Sequence, residues 1–348
     1  MKLFKSLLVA PATLGLLAPL SATANEVTIN DFNAAEEIAV TNSRVDGLEA
    51  RLNNFEAGSF SETTSASFGS TFYVGSVENS ATGEATTFSY DFGMDLSTSF
   101  TGEDSLDIAV IGGNASGTAV DGFMGGDGTS DALTLDGVSY TFPLGGATVI
   151  VGDDVGVDDL NTGACAYSAF TDLLSDCGTS NVGGSADSAF AIAYDFDNGF
   201  TLAGGAGGGT GTDGFFTEED ASTIGLEAAY TADTYGVSVA YTDDEATTYW
   251  SVQAMLAPEG YPSLSVGYET DDDDADAIFA GLTFAEVGPG SVSLGMASTD
   301  LSSDDYYQYE LAYSYPLNDG MTITPGVFIK ETSGDDETGV VVTTSFSF

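Results

Sequence analysis

Residues 87–96 read TFSYDFGMDL. Phe88, Tyr90, Phe92, Met94 and Leu96 take every second position, and Ser89, Asp91, Gly93 and Asp95 stand between them. A strand sends alternate side chains to opposite faces, so one face here is apolar and the other carries two carboxylates. A soluble sheet accommodates this by packing the apolar face inward. A membrane-spanning barrel does the reverse, with hydrocarbon towards lipid and acid towards water. The stretch alone leaves both open.

The same alternation recurs after Gly58. The larger residues on one parity are Phe68, Phe72 and Val74, then Leu106, Ile108 and Val110, then Val138, Tyr140 and Phe142. It continues through Phe190 and Ile192, Ile224 and Leu226, Val237 and Val239, and Leu264 and Val266. Tyr307, Tyr309, Leu311, Tyr313 and Tyr315 make the clearest row, and Val340, Val342, Phe346 and Phe348 the last. About sixteen strands result, the even number of a single-chain bacterial barrel. Short turns such as 197–199, 232–233 and 317–320 alternate with longer acidic segments at 113–131, 152–187, 204–221, 271–276, 299–305 and 331–338. Threading up and down through a membrane predicts that asymmetry.

The opposite parity carries Asp91, Asp95, Asp107, Asp195, Glu227 and Glu310. Six carboxylates facing a sealed core, with almost no cation to pair them, would each cost several kcal/mol. Facing a water-filled lumen they cost little. The predicted fold class is therefore all-β, a transmembrane antiparallel barrel of about 16 strands, with the apolar rows against outer-membrane lipid. A soluble acidic β-protein is the alternative.

Composition narrows the function. Five Lys+Arg stand against 54 Asp+Glu, His is absent, and the formal charge is -49. No nucleic acid is a partner, because a phosphate backbone needs cationic groups. Without histidine there is no imidazole metal site, and nucleophilic and phosphoryl-transfer machinery lack their parts, so neither an enzyme nor a cofactor is expected. GGAGGGTG at 204–211 has the glycines of a phosphate cradle without its lysine or helix, and is placed in a loop. The run 271–274 is four aspartates without the spaced ligands of a calcium loop, and reads as a solvated tip.

Lys2 and Lys5 precede an apolar run from Leu7 to Leu20, and Ala22-Thr23-Ala24 follows. That is a signal peptide over 1–24, so the chain is exported. In 25–58 the apolar residues Ile38, Val45 and Leu52, with Leu48 and Phe55, fall at heptad spacing. Arg44 stands five residues before Glu49 and Arg51 five before Glu56, where charges pair between neighbouring helices. A short coiled coil, and with it a homotrimer, is predicted; a helix lying on the rest of the protein is the other reading. The barrel then occupies 59–348. Cys165 and Cys177 are the only cysteines, and export favours a disulfide between them. Closing a loop of about a dozen residues stabilises by on the order of 3 kcal/mol.

Five stretches carry a family resemblance: LLVAPATLGLLAPL (7–20), RVDGLEAR with FEAGSFSETT (44–51, 55–64), LSTSFTGEDSL (96–106) and VSYTFPLGG (138–146). The chain resembles the cyanobacterial outer-membrane porins, a family of iron-uptake type that is distantly similar to carbohydrate-selective porins. The terminal Phe348 on an alternating strand is similar to the recognition signal of such barrels. The resemblance implies passive diffusion of small hydrophilic solutes and ions. It also implies that the third external loop, 152–187, folds into the barrel and narrows it; a solvated surface loop is the alternative. That loop holds Asp153, Asp154, Asp158, Asp159, Asp172 and Asp176, so a constriction built from it would prefer cations. Two departures matter. The surface-layer-homology segment of the family has no room in 25–37, which removes the basis for a cell-wall tether. The family's basic third loop is here VGDDVGVDDL, which removes the basis for an anion preference.

Overall fold

A computed structural model describes residues 64–348 apart from 81–82, 127, 180–181, 183–187, 209–216, 218–221, 273–274 and 299–305. The signal peptide and the heptad residues Ile38, Val45, Leu48, Leu52 and Phe55 lie outside the described residues. Sixteen antiparallel strands close into a barrel in which each pairs with its sequence neighbour and β1 (Thr64–Glu78) pairs with β16 (Glu337–Ser347). The strands in order between them are β2 (Thr87–Thr98), β3 (Ser105–Gly113), β4 (Thr134–Leu144), β5 (Ala147–Asp153), β6 (Ser188–Asp195), β7 (Phe200–Gly208) and β8 (Ser222–Ala232). They continue as β9 (Tyr235–Asp243), β10 (Thr248–Leu256), β11 (Ser263–Asp271), β12 (Asp276–Val287), β13 (Gly290–Ser298), β14 (Tyr307–Asn318) and β15 (Met321–Lys330). Closure removes both free edges, which an open sheet of this length would expose to further pairing.

The seam uses the chain end. Phe68 and Phe348 exchange both backbone hydrogen bonds, at 2.9 and 3.0 Å, and their rings stack at 5.7 Å. The apolar rows point outward: Phe88, Ile192, Leu226, Val239, Trp250, Val266, Leu294, Leu311 and Val340 are all exposed. Aromatic residues gather near the two ends of the strands. Tyr241 packs on Trp250 at 4.8 Å towards the end that carries the long connections, and Tyr230 on Tyr235 at 5.9 Å towards the other. An apolar band between two aromatic girdles is the outer surface that a membrane-spanning barrel needs.

Connection length departs from strict alternation. The segments 114–133, 154–187 and 209–221 are long and share one end, but 244–247 and 272–275 at that end are shorter than 99–104 or 257–262 at the other. Residues 204–208 are strand rather than loop. Glycine is needed there because a Cβ on Gly205 would collide with the backbone of Val157.

In the turn 99–104 the Asp104 carboxylate accepts from Tyr140 Oη at 2.6 Å, from Ser99 Oγ, and from the backbone N–H groups of Phe100 and Thr101. The Tyr140 hydroxyl, then the Thr101 amide, hold the carboxyl well below the usual carboxylate range. A depressed folded-state pKa stabilises above the unfolded-state value and is lost only as pH falls through the folded one. The turn therefore keeps its stabilisation at pH 4. Heat-modified gel migration should show wild type more resistant than Asp104→Ala at pH 7 and at pH 4 alike; convergence at pH 4 would contradict it.

Candidate functional site: an interior narrowed by two inturned loops

The connection 154–187 runs inside the barrel. Gly163 N donates to Glu227 Oε1 on β8 at 2.9 Å, and Phe170 N donates to Glu310 Oε1 on β14 at 2.8 Å. The segment between these two anchors follows the inner wall from β8 to β14. Between these ends Ala164 N donates to Gln253 Oε1 on β10, Ala166 N to Ser265 Oγ on β11 and Ser168 N to Thr283 Oγ1 on β12. Every one of these wall residues lies opposite an exposed apolar row, so each points inward.

Three glutamates carry the docking. Glu310, 2 % exposed, accepts from Phe170 N, Thr171 N and Tyr167 Oη at 2.8 Å each, and also from Thr171 Oγ1. Glu269, fully buried on β11, accepts from Val182 N at 3.1 Å. Glu227, 6 % exposed, accepts from Gly163 N. Hydrogen bonds to a charged group are worth about 1.5–3 kcal/mol each, and several on one carboxylate replace the water it has lost. Burial, with Glu310 beside it, pushes the Tyr167 phenol far above its ordinary value, so the hydroxyl remains a donor. Gln253 joins both limbs of the loop to β10. Its Oε1 takes the Ala164 amide, and its Nε2 donates to Asp176 O and Thr179 Oγ1 at 2.7 Å. Cys165 and Cys177 are bonded to each other across the same two limbs, with Cα atoms 5.9 Å apart.

Glycines on the wall make room for this packing. A Cβ on Gly225 would strike Val157, on Gly267 the carbonyl of Cys177, on Gly281 the ring of Tyr167, and on Gly326 the ring of Phe170. A second connection, 114–133, also turns inward. It carries a one-turn helix, α1 (Asp121–Met124), whose Phe123 ring lies 4.3 Å from that of Phe328 on β15. Val120 and Phe123 join Tyr73, Val77, Phe170, Phe328 and Val341 in one apolar cluster inside the barrel. Lys330, the only cationic side chain among the described residues, sits 5.6 Å over the Phe123 ring. Such a contact favours the cation by about 0.5–1 kcal/mol when exposed.

On β2 and β3 the described loop residues leave part of the wall uncovered. Gly93 on β2 points inward, and a Cβ placed there would touch nothing within 4 Å. Beside it, Asp95 is exposed and Asp107 is half-buried, accepting from Ser105 Oγ at 2.7 Å. Asp91, one step towards the long-loop end, accepts from Tyr73 Oη. Asp195 is exposed at the end of β6 next to the turn 196–199.

Three sequence expectations are revised by these positions. Glu227 and Glu310 point inward but do not face open water, because the loop covers them and supplies their donors. Asp153 is not in the loop at all. It ends β5 on the parity of Val149 and Val151, the outward row, where Ser188 Oγ donates to it at 3.4 Å. Of the others, Asp154, Asp159, Asp172 and Asp176 are exposed on the loop and Asp158 is half-buried. Burial, with Asp176 nearby, raises the Asp158 carboxyl above its usual range. Gln253, Glu269 and also Gln308, whose Nε2 donates to Thr171 Oγ1 at 2.6 Å, were not singled out in the sequence, although the parity that marked Glu227 and Glu310 also marks them.

No protein-family model matches the chain. An uncharacterised Nostoc protein, alr4550, is 31% identical over 159 residues, which is 41% of this chain. The chain spans only 27% of that relative's length. Among solved structures, OprB of Pseudomonas putida superposes with a TM-score of 0.63 at 12% identity, covering 82% of this chain and 94% of that one. A Rhodobacter blastica porin variant gives 0.56 at 15% identity, covering 82% and 100%. At such identities the likeness establishes a porin-like fold.

Proposed function

We propose that this chain is a passive outer-membrane channel that favours cations and passes small hydrophilic solutes and inorganic ions. The observation that carries the reading is the uncovered strip beside β2 and β3, where Gly93, Asp95 and Asp107 face an interior narrowed by the acidic loop 154–187. Acidic groups around a confined aqueous path with low-dielectric walls concentrate cations and repel anions. The outward apolar band supports placement in lipid, and the exposed loop carboxylates Asp154, Asp159 and Asp172 add to the negative potential. Export by the 1–24 leader, and assembly into a homotrimer through Ile38, Val45, Leu48, Leu52 and Phe55, complete the proposal.

Planar bilayers under a potassium chloride gradient provide the test. The reversal potential is expected on the cation side, and the preference should weaken at 1 M salt, where the screening length falls to about 3 Å. Gly93→Arg puts a positive charge in the open strip and should lower both conductance and cation preference. An anion-side reversal, or a chain that inserts and never conducts, would reject the channel as described; the second result would favour a structural barrel.

A further inference from the structure

Two loops enter the barrel, and they are held in different ways. The connection 154–187 is fixed to the wall through backbone amides and buried carboxylates, and a disulfide ties its two limbs. Residues 115–126 of the other loop make no hydrogen bond to any described residue of the wall or of 154–187. Their hydrogen bonds stay within the segment. Gly117 N donates to Asp121 Oδ2, Asp121 N to Thr118 Oγ1, Thr118 N to Ala115 O, and Phe123 N and Met124 N to Val120 O. What seats the segment is apolar: Val120, 1 % exposed, and Phe123 cluster with Phe170, Phe328 and Val341, and Lys330 lies over the Phe123 ring. The segment stands at the long-loop end of the open strip. Asp91 Oδ1 of β2 and Asp121 Oδ1 of α1 each lie 3.3 Å from where a Cβ on Gly126 would be, and Asp172 Cγ of the other loop lies 3.2 Å from one on Gly125. Carboxylates from three elements thus meet where the segment touches its neighbours, and like charges oppose that contact. Gly122, inside α1, has no positive φ, and a Cβ there would meet nothing within 4 Å. Neither packing nor conformation asks for glycine at that position, and its effect is to keep the turn easily melted.

We propose that residues 115–126 form a movable gate over the entrance to the open strip, seated by Val120 and Phe123 and released without breaking a hydrogen bond to the wall. The gate deepens the channel reading above and rests on it. Seated, the segment narrows the entrance between β2 and 154–187; released, it widens the path for larger solutes. A segment whose polar groups are paired within itself has only its apolar seat and one cation–ring contact to give up on opening. The connection 154–187 would have to strand amides and carboxylates as well. The fixed loop therefore sets the narrowest lasting width of the interior, and the gate sets how often a wider one is offered.

The test compares two buried valines in the full chain purified in detergent: Val120→Cys in the gate and Val157→Cys in 154–187, each 1 % exposed as valine. The native cysteines are bonded to each other and leave no free thiol. A water-soluble maleimide is expected to modify Val120→Cys roughly tenfold faster than Val157→Cys or more, because release of the gate uncovers only the first. Adding Phe123→Ala to Val120→Cys removes the larger part of the seat and should speed modification roughly tenfold again. In bilayers the modified Val120→Cys channel, its gate held off the seat by the bulky adduct, should carry more current than before treatment, while treated wild type should not change. Equal protection of the two cysteines, or a modified channel with unchanged current, overturns the gate. Equal protection together with a cation-side reversal potential would leave the channel standing without its gate. Fast modification of Val120→Cys in a barrel that never conducts would reject the channel while upholding the motion.

Discussion

Glu310→Ala is expected to free the inturned loop from β14 and to raise both the mean conductance and the current noise of the channel. Four donors converge on this one carboxylate: Tyr167 Oη, Phe170 N, Thr171 N and Thr171 Oγ1. Alanine leaves all four without an acceptor in a site that is almost sealed from water. Each stranded donor costs about 1–3 kcal/mol if it stays buried. The loop escapes part of that by loosening from β14 so that its donors reach water, and a net loss near 3–5 kcal/mol of docking is expected, as when one partner of a buried charged pair is removed. Glu310→Gln restores one acceptor oxygen but turns an amide N–H towards Thr171, and should fall between wild type and alanine. Protease cutting in 154–187 supplies a second readout. A Glu310→Ala channel as quiet and as protease-resistant as wild type would show that the carboxylate does not hold the loop.

The second large effect concerns glycines whose chemistry is nil and whose lack of a side chain is the point. Gly267→Ala drives a Cβ into the carbonyl of Cys177, and Gly205→Ala drives one into the backbone of Val157. In both cases the obstacle is backbone, which cannot swing aside as a side-chain tip can. Overpacking of this kind costs about 1–3 kcal/mol per site, and the strain is relieved by pushing the loop off the wall. Gly93→Ala makes the comparison sharp, because its Cβ meets open space. There alanine should stabilise by about 0.4–1 kcal/mol, through the reduced freedom of the unfolded chain. Unfolding midpoints in denaturant should move in opposite directions for Gly93→Ala and for the two wall variants. A destabilised Gly93→Ala, or unaffected Gly267→Ala and Gly205→Ala, would place the loop elsewhere.

Reducing the Cys165–Cys177 bond should act in the same sense as Glu310→Ala but more weakly. The two residues also pack with Leu174, Phe279 and Ala297, and that contact survives reduction.

Much of the architecture could be read from alternation alone. In β2 the row Phe88, Tyr90, Phe92, Met94, Leu96 fixed which face meets hydrocarbon, and the register with β1 keeps Phe72 beside Tyr90 and Phe68 beside Met94 on that face. A strand of period two has only two ways to face, and bulky apolar groups choose one, so strand number and sidedness follow from the sequence. Loop boundaries were less legible. The glycines at 204–208 signal flexibility in isolation, whereas in the fold they are strand positions, and Gly205 lacks a side chain where Val157 lies against it.

That 154–187 turns inward was implied only by the family resemblance, and where it docks could not be read from its residues. Its docking is made largely by backbone N–H groups at 163, 164, 166, 168, 170, 171 and 182, and every residue except proline has one. The acceptors Glu227, Gln253, Glu269 and Glu310 are distant in sequence and carry no mark that distinguishes a docking carboxylate from one washed by water. Alternation along the chain specifies a closed β-barrel with most strand acids turned inward, because side-chain parity is a local property. Which of those acids grip a loop and which face the open strip emerges only in the folded molecule, because that depends on where a distant backbone comes to rest.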